Sequence, residues 1–355
     1  MKKNGVEVMP CHMSSEFQKE WIYEQFKPDI AVGVGFWGHT PDVIQHPQKF
    51  GVQPVPWFVA DGWVAGFHAE LAALPLAFVT STWVKERYIR DGVDTKNFEV
   101  MPIGFDPDLF HSIPKTDERV RTLRKKLGIA DDEVMLLTVG GDVTSKGAQE
   151  VFQALKLLGK KMPKWKYVCK VWGGASADDH YEDEMRLIDE LGDDKDRVIY
   201  LDGSFSREFM PVMLNASDVY LAPSRLEGFG MIQMEAQACG VPVISIDGMG
   251  PKEVIVNGKT GFLASVADTV VLNEEITPSF MGKPSGHRQV FGKPKIFAYR
   301  ASVEDIADKL LKLASDTDLR DEMGKAAAKH AMEKFHYQDI ARRFEEIVKS
   351  KLKIS

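Results

Sequence analysis

Short, continuously apolar runs alternate with amphipathic stretches along this chain, and that alternation limits its fold more than any other feature. The early runs are DIAVGV (Asp29 to Val34), PVPWFVA (Pro54 to Ala60) and LAFVTS (Leu76 to Ser81). Later come EVMLLTVGG (Glu133 to Gly141), WKYVCKVWGG (Trp165 to Gly174), RVIYLDG (Arg197 to Gly203), DVYLAPS (Asp218 to Ser224) and VPVISID (Val241 to Asp247). A strand that is apolar at every position needs cover on both faces. Amphipathic helices between such strands supply that cover, so the pattern predicts an α/β protein with parallel sheets.

The 355 residues suit two domains better than one. The boundary is expected after VMPIGFDPDLF (Val100 to Phe110), where HSIPKTDERV is polar and carries a proline. This gives an N-terminal Rossmann-like domain over 1–112 and a C-terminal one over 113–336. A terminal amphipathic helix over 337–355 is expected to pack back toward the first domain. The first half has room for only three or four strands, so its domain is expected to be reduced, with sheet edge for a partner or a second copy to cover. Residues about 266–299 break the alternation. They hold two extended segments, TVVLNEEI and HRQVFGKPKIFAY, joined by Pro- and Gly-rich turns, and read as a hairpin insertion. That insertion is expected to rim the cleft or to mediate self-association.

Composition removes several functional classes. With 44% hydrophobic and 27% charged residues the chain has the balance of a soluble globular protein. A net charge of −7 leaves no global basic field for nucleic acid, and any membrane contact is expected to be peripheral. No apolar run is long enough to span a bilayer and no signal-peptide pattern is present. Cys11, Cys169 and Cys239 are scattered without zinc spacing, which fits a reducing, cytoplasmic setting.

The richest stretch is RLEGFGMIQMEAQACGVPV, Arg225 to Val243. It reads as a glycine loop after a strand, then a helix closed by Gly240, then another strand. Gly228 and Gly230 allow close backbone approach to a ligand. Free N–H groups at the helix start favour an anion. Glu227 in the loop and Glu235 in the helix could accept hydrogen bonds from two hydroxyl-bearing parts of one ligand. On spacing alone, a capped helix with one surface glutamate competes evenly with that reading.

The stretch resembles the signature of the retaining family 4 glycosyltransferases of the GT-B fold, whose two glutamates stand in a PSxxEGFGxxxxEAxAxGxPVI frame. Pro223, Ser224, Glu227, Gly228, Phe229, Gly230, Glu235, Ala236, Gly240, Pro242 and Val243 match in register. GMGPKEVIVNGKTGFLA (Gly248 to Ala264) resembles the element that follows, with Glu253, Gly258 and Gly261 in place. VGGDVTSKG resembles the family's GRLxxxKG loop, VWGG its base-side turn, and VMPIGFDPDLF its interdomain boundary. The likeness covers about Leu76 to Ala264. It implies a retaining, metal-independent hexosyltransferase with no cofactor. Its partners would be a nucleotide-diphosphate sugar donor and a carbohydrate, lipid-linked or other hydroxyl acceptor.

The resemblance also implies residue roles. Glu235 would hold the ribose hydroxyls. Glu227 would contact the donor sugar together with N–H groups of Phe229, Gly230 and Met231. Lys146 would meet the diphosphate, where a fixed positive charge offsets charge growing on the leaving phosphate. Gly140 and Gly141 would line the diphosphate loop. Gly173, Gly174 and Ser204 would face the base. The family arginine of the GRL loop is replaced by Gly141, so Lys146, with Arg225, is expected to carry the phosphate. The first glycine loop of the family's N-terminal domain has no counterpart. These departures motivate a second reading, a catalytically degenerate nucleotide-sugar-binding or scaffold protein of the same fold.

Other motifs weigh less. GVGFWG (Gly33 to Gly38) spells a dinucleotide fingerprint and supports a third reading, an NAD-binding enzyme. The two prolines in the following HTPDVIQHPQKFG suit a pyrophosphate-binding helix poorly. Gly35, Trp37 and Asp61 are instead acceptor-side candidates. DDHYEDE (Asp178 to Glu184) reads as an acidic first turn capped by Ser176. DKD (Asp194 to Asp196) falls in a helix-to-strand turn. His39, His46 and His68 lack ligand spacing, so no metal is expected.

Overall fold

The computed structural model describes residues 2–3, 6–7, 16–35, 41–59, 62–64, 66–172, 180–277 and 286–354. Two parallel sheets organise it. The N-terminal sheet has four strands in spatial order Val34–Gly35, Trp57–Phe58, Ala77–Val79 and Phe98–Val100. Ile30–Ala31 and Gln53–Pro54 form a separate parallel pair. The C-terminal sheet has six strands, all parallel. Their spatial order is Val198–Asp202, Trp165–Val171, Val134–Val139, Val219–Ala222, Val243–Ile246 and Gly261–Ala264.

The continuous apolar runs are these strands. Every residue of Val134–Val139, Val219–Ala222 and Val243–Ile246 is buried, because helices lie on both faces. One face carries the helix Ala148–Leu158, whose Val151, Phe152 and Leu155 join Tyr167 and Cys169. The other carries the helices Phe209–Ala216 and Met231–Ala238 against Leu137, Val168 and Tyr220.

The chain returns at its end to the first sheet. The helix Tyr337–Leu352 places Ile340, Phe344 and Val348, spaced four apart, on Val55, Leu76, Phe78 and Met101. The Phe344 ring stands 4.8 Å from that of Phe78 and 6.0 Å from that of Trp57. Tyr337 N–H donates to the Phe105 carbonyl (3.1 Å), and Phe105 N–H donates to that of Phe335 (2.9 Å). Gly104 permits this crossing, since a Cβ there would lie 2.6 Å from Tyr337 Cα.

Residues Val266–Thr277 and His287–Ala301 pair as an antiparallel arm. Its register is broken. Between the pairs Leu272↔Lys295 and Glu274↔Val290, one residue on the outgoing strand faces four on the return, Phe291 to Pro294. This large bulge bends the arm onto the N-terminal half. The Phe291 ring meets Trp63 edge-on at 4.9 Å. Arg90 donates to the Ile296 carbonyl at 3.0 Å, and Lys295 pairs with Asp91. The arm therefore clasps the two halves together. Among the described residues, no helix is long and apolar enough to cross a membrane.

Candidate functional site

The strand order identifies a crevice. From Val134–Val139 the chain builds outward on one side through two strands. It then crosses back and builds on the other side from Val219–Ala222. The carboxyl ends of these two strands flank a topological switch point, where open α/β sheets leave room for a ligand. The loops that leave them carry Gly140 to Gly147 and Pro223 to Gly230.

The first loop is held from below. Asp142 accepts from Thr144 N–H (2.8 Å), and Ser145 donates to the Asp142 carbonyl (2.7 Å). Glu184 is buried and accepts from the Thr144 and Tyr200 hydroxyls, both at 2.5 Å. Burial raises its pKa above the usual carboxylate range. The helix Tyr181–Asp189 has the expected acidic first turn, Glu182, Asp183 and Glu184, but its cap position is His180, which makes no side-chain cap bond, in place of the expected Ser176. Asp178 and Asp179, like Ser176, lie outside the described residues, and Glu184 turns inward as a brace for the loop. Gly147, at φ +84°, packs where a Cβ would meet the Pro223 carbonyl oxygen at 2.3 Å. Arg225 N–H donates to the Ser145 carbonyl at 2.9 Å and joins the two loops.

Lys146 and Glu227 meet across the switch point. Lys146 Nζ donates to Glu227 Oε2 at 2.7 Å, and both side chains keep some exposure. Glu227 Oε1 accepts from Gly230 N–H at 3.1 Å. Gly230 has φ +102°, a conformation that favours glycine, and starts the helix Met231–Ala238, which has no side-chain cap. Its first N–H groups are therefore left for a ligand. Phe229 is buried edge-on against Phe335 (5.8 Å) and anchors the turn, while Met231 is exposed. Glu235 is half-buried with no side-chain hydrogen bond among the described residues. Burial pushes its pKa up to about 7, opposed by the charge of Arg207. The buried Tyr220 hydroxyl donates to the Val139 carbonyl (3.4 Å). Its pKa is raised first by burial and then by the charges of Glu227 and Glu235.

Several expected residues stand elsewhere. Arg225 is bound by Glu150 (2.9 Å) and Gln149 (2.9 Å) in a mostly buried pair, with Arg300 also on Glu150 (3.2 Å). Its guanidinium is already engaged, which corrects the expectation that it shares the phosphate with Lys146. At Gly141 a Cβ would lie 1.7 Å from Trp172 Nε1. The indole occupies the space into which an arginine at this position would grow. The buried Lys170 ammonium sits 4.9 Å from the Trp172 ring and 5.9 Å from that of Phe205, and burial lowers its pKa. Ser204 is exposed just past the Val198–Asp202 strand. Gly140 lets Lys146 pass, since a Cβ there would stand 3.0 Å from Lys146 Cγ. Gly35 ends the first strand of the N-terminal sheet. Gly173, Gly174, Trp37 and Asp61 lie outside the described residues, as do Phe36 and Gly38 of the fingerprint. Gly33 abuts Val43, which a Cβ would meet at 2.7 Å. A wide turn at Pro41–Gln45 and a four-residue helix follow in place of a long phosphate-binding helix.

The sequence reading gave no role to the groups that join the halves. Ser81 caps the helix Thr82–Arg90 by accepting from Val84 N–H (3.1 Å) and donates to the Gly228 carbonyl (2.6 Å). Glu253 accepts from the N–H groups of Thr82 (3.0 Å) and Trp83 (3.1 Å). A carboxylate of one half thus satisfies the helix start of the other. The signal was a serine directly before an amphipathic run, but its partner was not legible. Gly250 completes the joint. Its N–H donates to the Glu227 carbonyl (3.1 Å), and a Cβ would lie 2.3 Å from the Gly228 oxygen. Gly250→Ala is expected to destabilise by about 1–3 kcal/mol, because the obstacle is backbone. An unchanged thermal midpoint would show that the turn gives way freely.

The chain is also similar to known proteins. Residues 119–281 match the family model of glycosyl transferases group 1. The chain is similar to the D-inositol 3-phosphate glycosyltransferase of Xylanimonas cellulosilytica. The two are 31% identical over 232 residues, which is 65% of this chain and 54% of the relative. A GDP-mannose-dependent alpha-(1-6)-phosphatidylinositol monomannoside mannosyltransferase of Mycolicibacterium smegmatis is 29% identical over 195 residues, 53% of this chain and 48% of that one. The chain spans about half the length of the curated relatives it matches. Among solved structures, sucrose-phosphate synthase from Thermosynechococcus elongatus superposes with a TM-score of 0.72 at 19% identity, covering 96% of this chain and 78% of that one. Anabaena Alr3699/HepE in complex with UDP and glucose superposes at 0.71 and 17%, covering 94% and 81%. These likenesses establish the GT-B fold.

Proposed function

Because the chain belongs to the group 1 glycosyltransferases of the GT-B fold, we propose that it transfers a sugar from a nucleotide-diphosphate donor, with retention of configuration, to a hydroxyl acceptor. The observation that carries this reading is the Lys146–Glu227 pair, which bridges the switch point beside an uncapped helix start. The donor diphosphate takes Lys146 and the uncapped N–H groups at the start of the helix Met231–Ala238. Glu227 holds the sugar and Glu235 the ribose hydroxyls. The bond from the anomeric carbon to the leaving phosphate breaks. The acceptor oxygen bonds to that carbon from the same face, and its proton passes to the leaving phosphate oxygen. The chain contributes positioning and charge. The relatives act on inositol 3-phosphate or phosphatidylinositol mannoside by name, and a phosphorylated polyol is the acceptor class they suggest.

Thermal stabilisation by UDP, GDP, ADP and NAD tests the donor site. One nucleoside diphosphate at a hundred times its dissociation constant is expected to add about 2.7 kcal/mol. A response to NAD alone overturns the proposal. Nucleotide binding without any turnover favours the second reading, for which the indole over Gly141 is the specific observation.

Glu235 predicts a pH signature. Its raised pKa means that folding favours the protonated form, so this contribution is complete below the ordinary carboxylate range and is lost as pH rises through about 7. Ribose hydroxyls that donate to the carboxylate reverse the shift. Nucleotide binding near pH 6.5 is therefore expected to release protons. Affinity should strengthen toward pH 8, by at most about tenfold per pH unit. Calorimetry in two buffers of different ionisation enthalpy reads the release. Glu235→Gln should remove it, and a release that survives this change sinks the assignment.

A further inference from the structure

A cavity of about 590 Å³ lies between the helix Thr82–Arg90 and the bulge of the arm, and its lining includes Arg87, Arg90, Lys293 and Lys295. None of its lining residues is a carboxylate. Asp91, beside it, is fully buried and already accepts from Arg90, Lys295 and Val64 N–H. Arg90 further donates to the carbonyls of Gly62 and Ile296. Arg87 differs from Arg90. Its guanidinium lies 5.0 Å from the Trp83 ring, its Nε is buried with no hydrogen-bond partner among the described residues, and its nearest carboxylate, the exposed Glu86, is 3.9 Å away. Lys293 at the bulge tip is exposed and has no partner among the described residues. A helix rises about 1.5 Å per residue, so Arg87 stands roughly 8 Å along the axis from Thr82, where the halves meet. Neither Lys146 nor Glu227 is among the residues that line the cavity.

We propose that this cavity is an anion site for a phosphate monoester group, held by Arg87 and Lys293. Two features favour a phosphate. The terminal nitrogens of Arg87 make no hydrogen bond among the described residues, only a 3.9 Å ion pair to the exposed Glu86, and they present the fork that suits phosphate oxygens. The cations also converge from two separate elements, so a multiply charged tetrahedral group bridges them better than a monovalent ion does. The bulge is what brings Lys293 and Lys295 to the helix, since a regular hairpin would run past it. The site thus exists only while the arm is docked, and an anion bound there also holds the halves together. This proposal does not depend on the donor assignment.

Thermal unfolding at constant ionic strength tests it, with inorganic phosphate and glucose 6-phosphate as probes and chloride as the control. The whole chain is compared with Arg87→Gln, Lys293→Gln and Lys146→Gln. Phosphate is expected to raise the midpoint of the parent and of Lys146→Gln by about 3 °C, and to lose that effect in Arg87→Gln and Lys293→Gln. Lys293 is exposed, so its variant keeps the test valid if Arg87→Gln folds poorly. A larger shift with glucose 6-phosphate assigns the group to a phosphorylated acceptor, and equal shifts assign it to free phosphate. No shift with either probe overturns the proposal. So does a shift that survives both Arg87→Gln and Lys293→Gln, or one lost in Lys146→Gln. Stabilisation by nucleoside diphosphates that persists in Arg87→Gln keeps failure of this site distinct from failure of the donor site.

Discussion

Glu227→Gln is expected to lower sugar transfer by about 10²- to 10³-fold while binding of the nucleoside diphosphate holds or tightens. The structure explains why the two effects part. Glu227 Oε2 holds Lys146 at 2.7 Å, so in the unliganded protein the carboxylate competes with the diphosphate for that ammonium. Removing its charge frees Lys146 for the ligand. It also removes the group proposed to hold the donor sugar, whose loss costs as much as one preorganised contact in a transition state. The hydrogen bond from Gly230 N–H can still end on the amide oxygen, so the turn survives. Lys146→Gln is expected to weaken both binding and transfer. Initial rates of nucleotide release, with binding measured separately, check the split. A Glu227→Gln protein that turns over at the parent rate sinks the site assignment.

Asp91→Ala is expected to destabilise by about 3 kcal/mol and to lower the thermal midpoint by roughly 6 °C, because it strands Arg90 and Lys295 at a closed joint. Burial alone would raise the Asp91 pKa. Hydrogen bonds from Arg90, Lys295 and Val64 N–H outweigh it and hold the carboxyl below its ordinary range. The stability it contributes is therefore present above the ordinary carboxylate range and is lost as pH falls through the folded value. Lys295→Met should remove part of the same effect, and the double variant should cost less than the sum of the singles. Midpoints measured from pH 7 down to acid test this. An Asp91→Ala protein with the parent's midpoint and acid response would show that the clasp adds nothing.

Much of the fold was legible because its strands are apolar at every position and its helices are amphipathic, patterns that follow from local periodicity. The glycine turn was legible as well, since Gly230 takes a positive φ that few other residues accept. The arm was legible as a hairpin. Its docking was not, because that depends on three extra residues in one strand and on contacts with Trp63 and Asp91 about two hundred positions away. The brace at Glu184 was also hidden. An acidic first turn looks the same in sequence whether its carboxylates face water or reach a neighbouring loop.

The elements and the glycine-bearing loops at their carboxyl ends follow from local backbone preference, and the pair of glutamates stands in the residues themselves. Which distant groups meet is set by the folded chain. The strand crossover brings Lys146 to Glu227 across 81 positions. Packing puts Trp172 over Gly141 and turns Arg225 to Glu150. Glu253 caps a helix of the other half. These contacts are set by how the sheets and arm close on one another, and strand and helix periodicity carries no record of that closure.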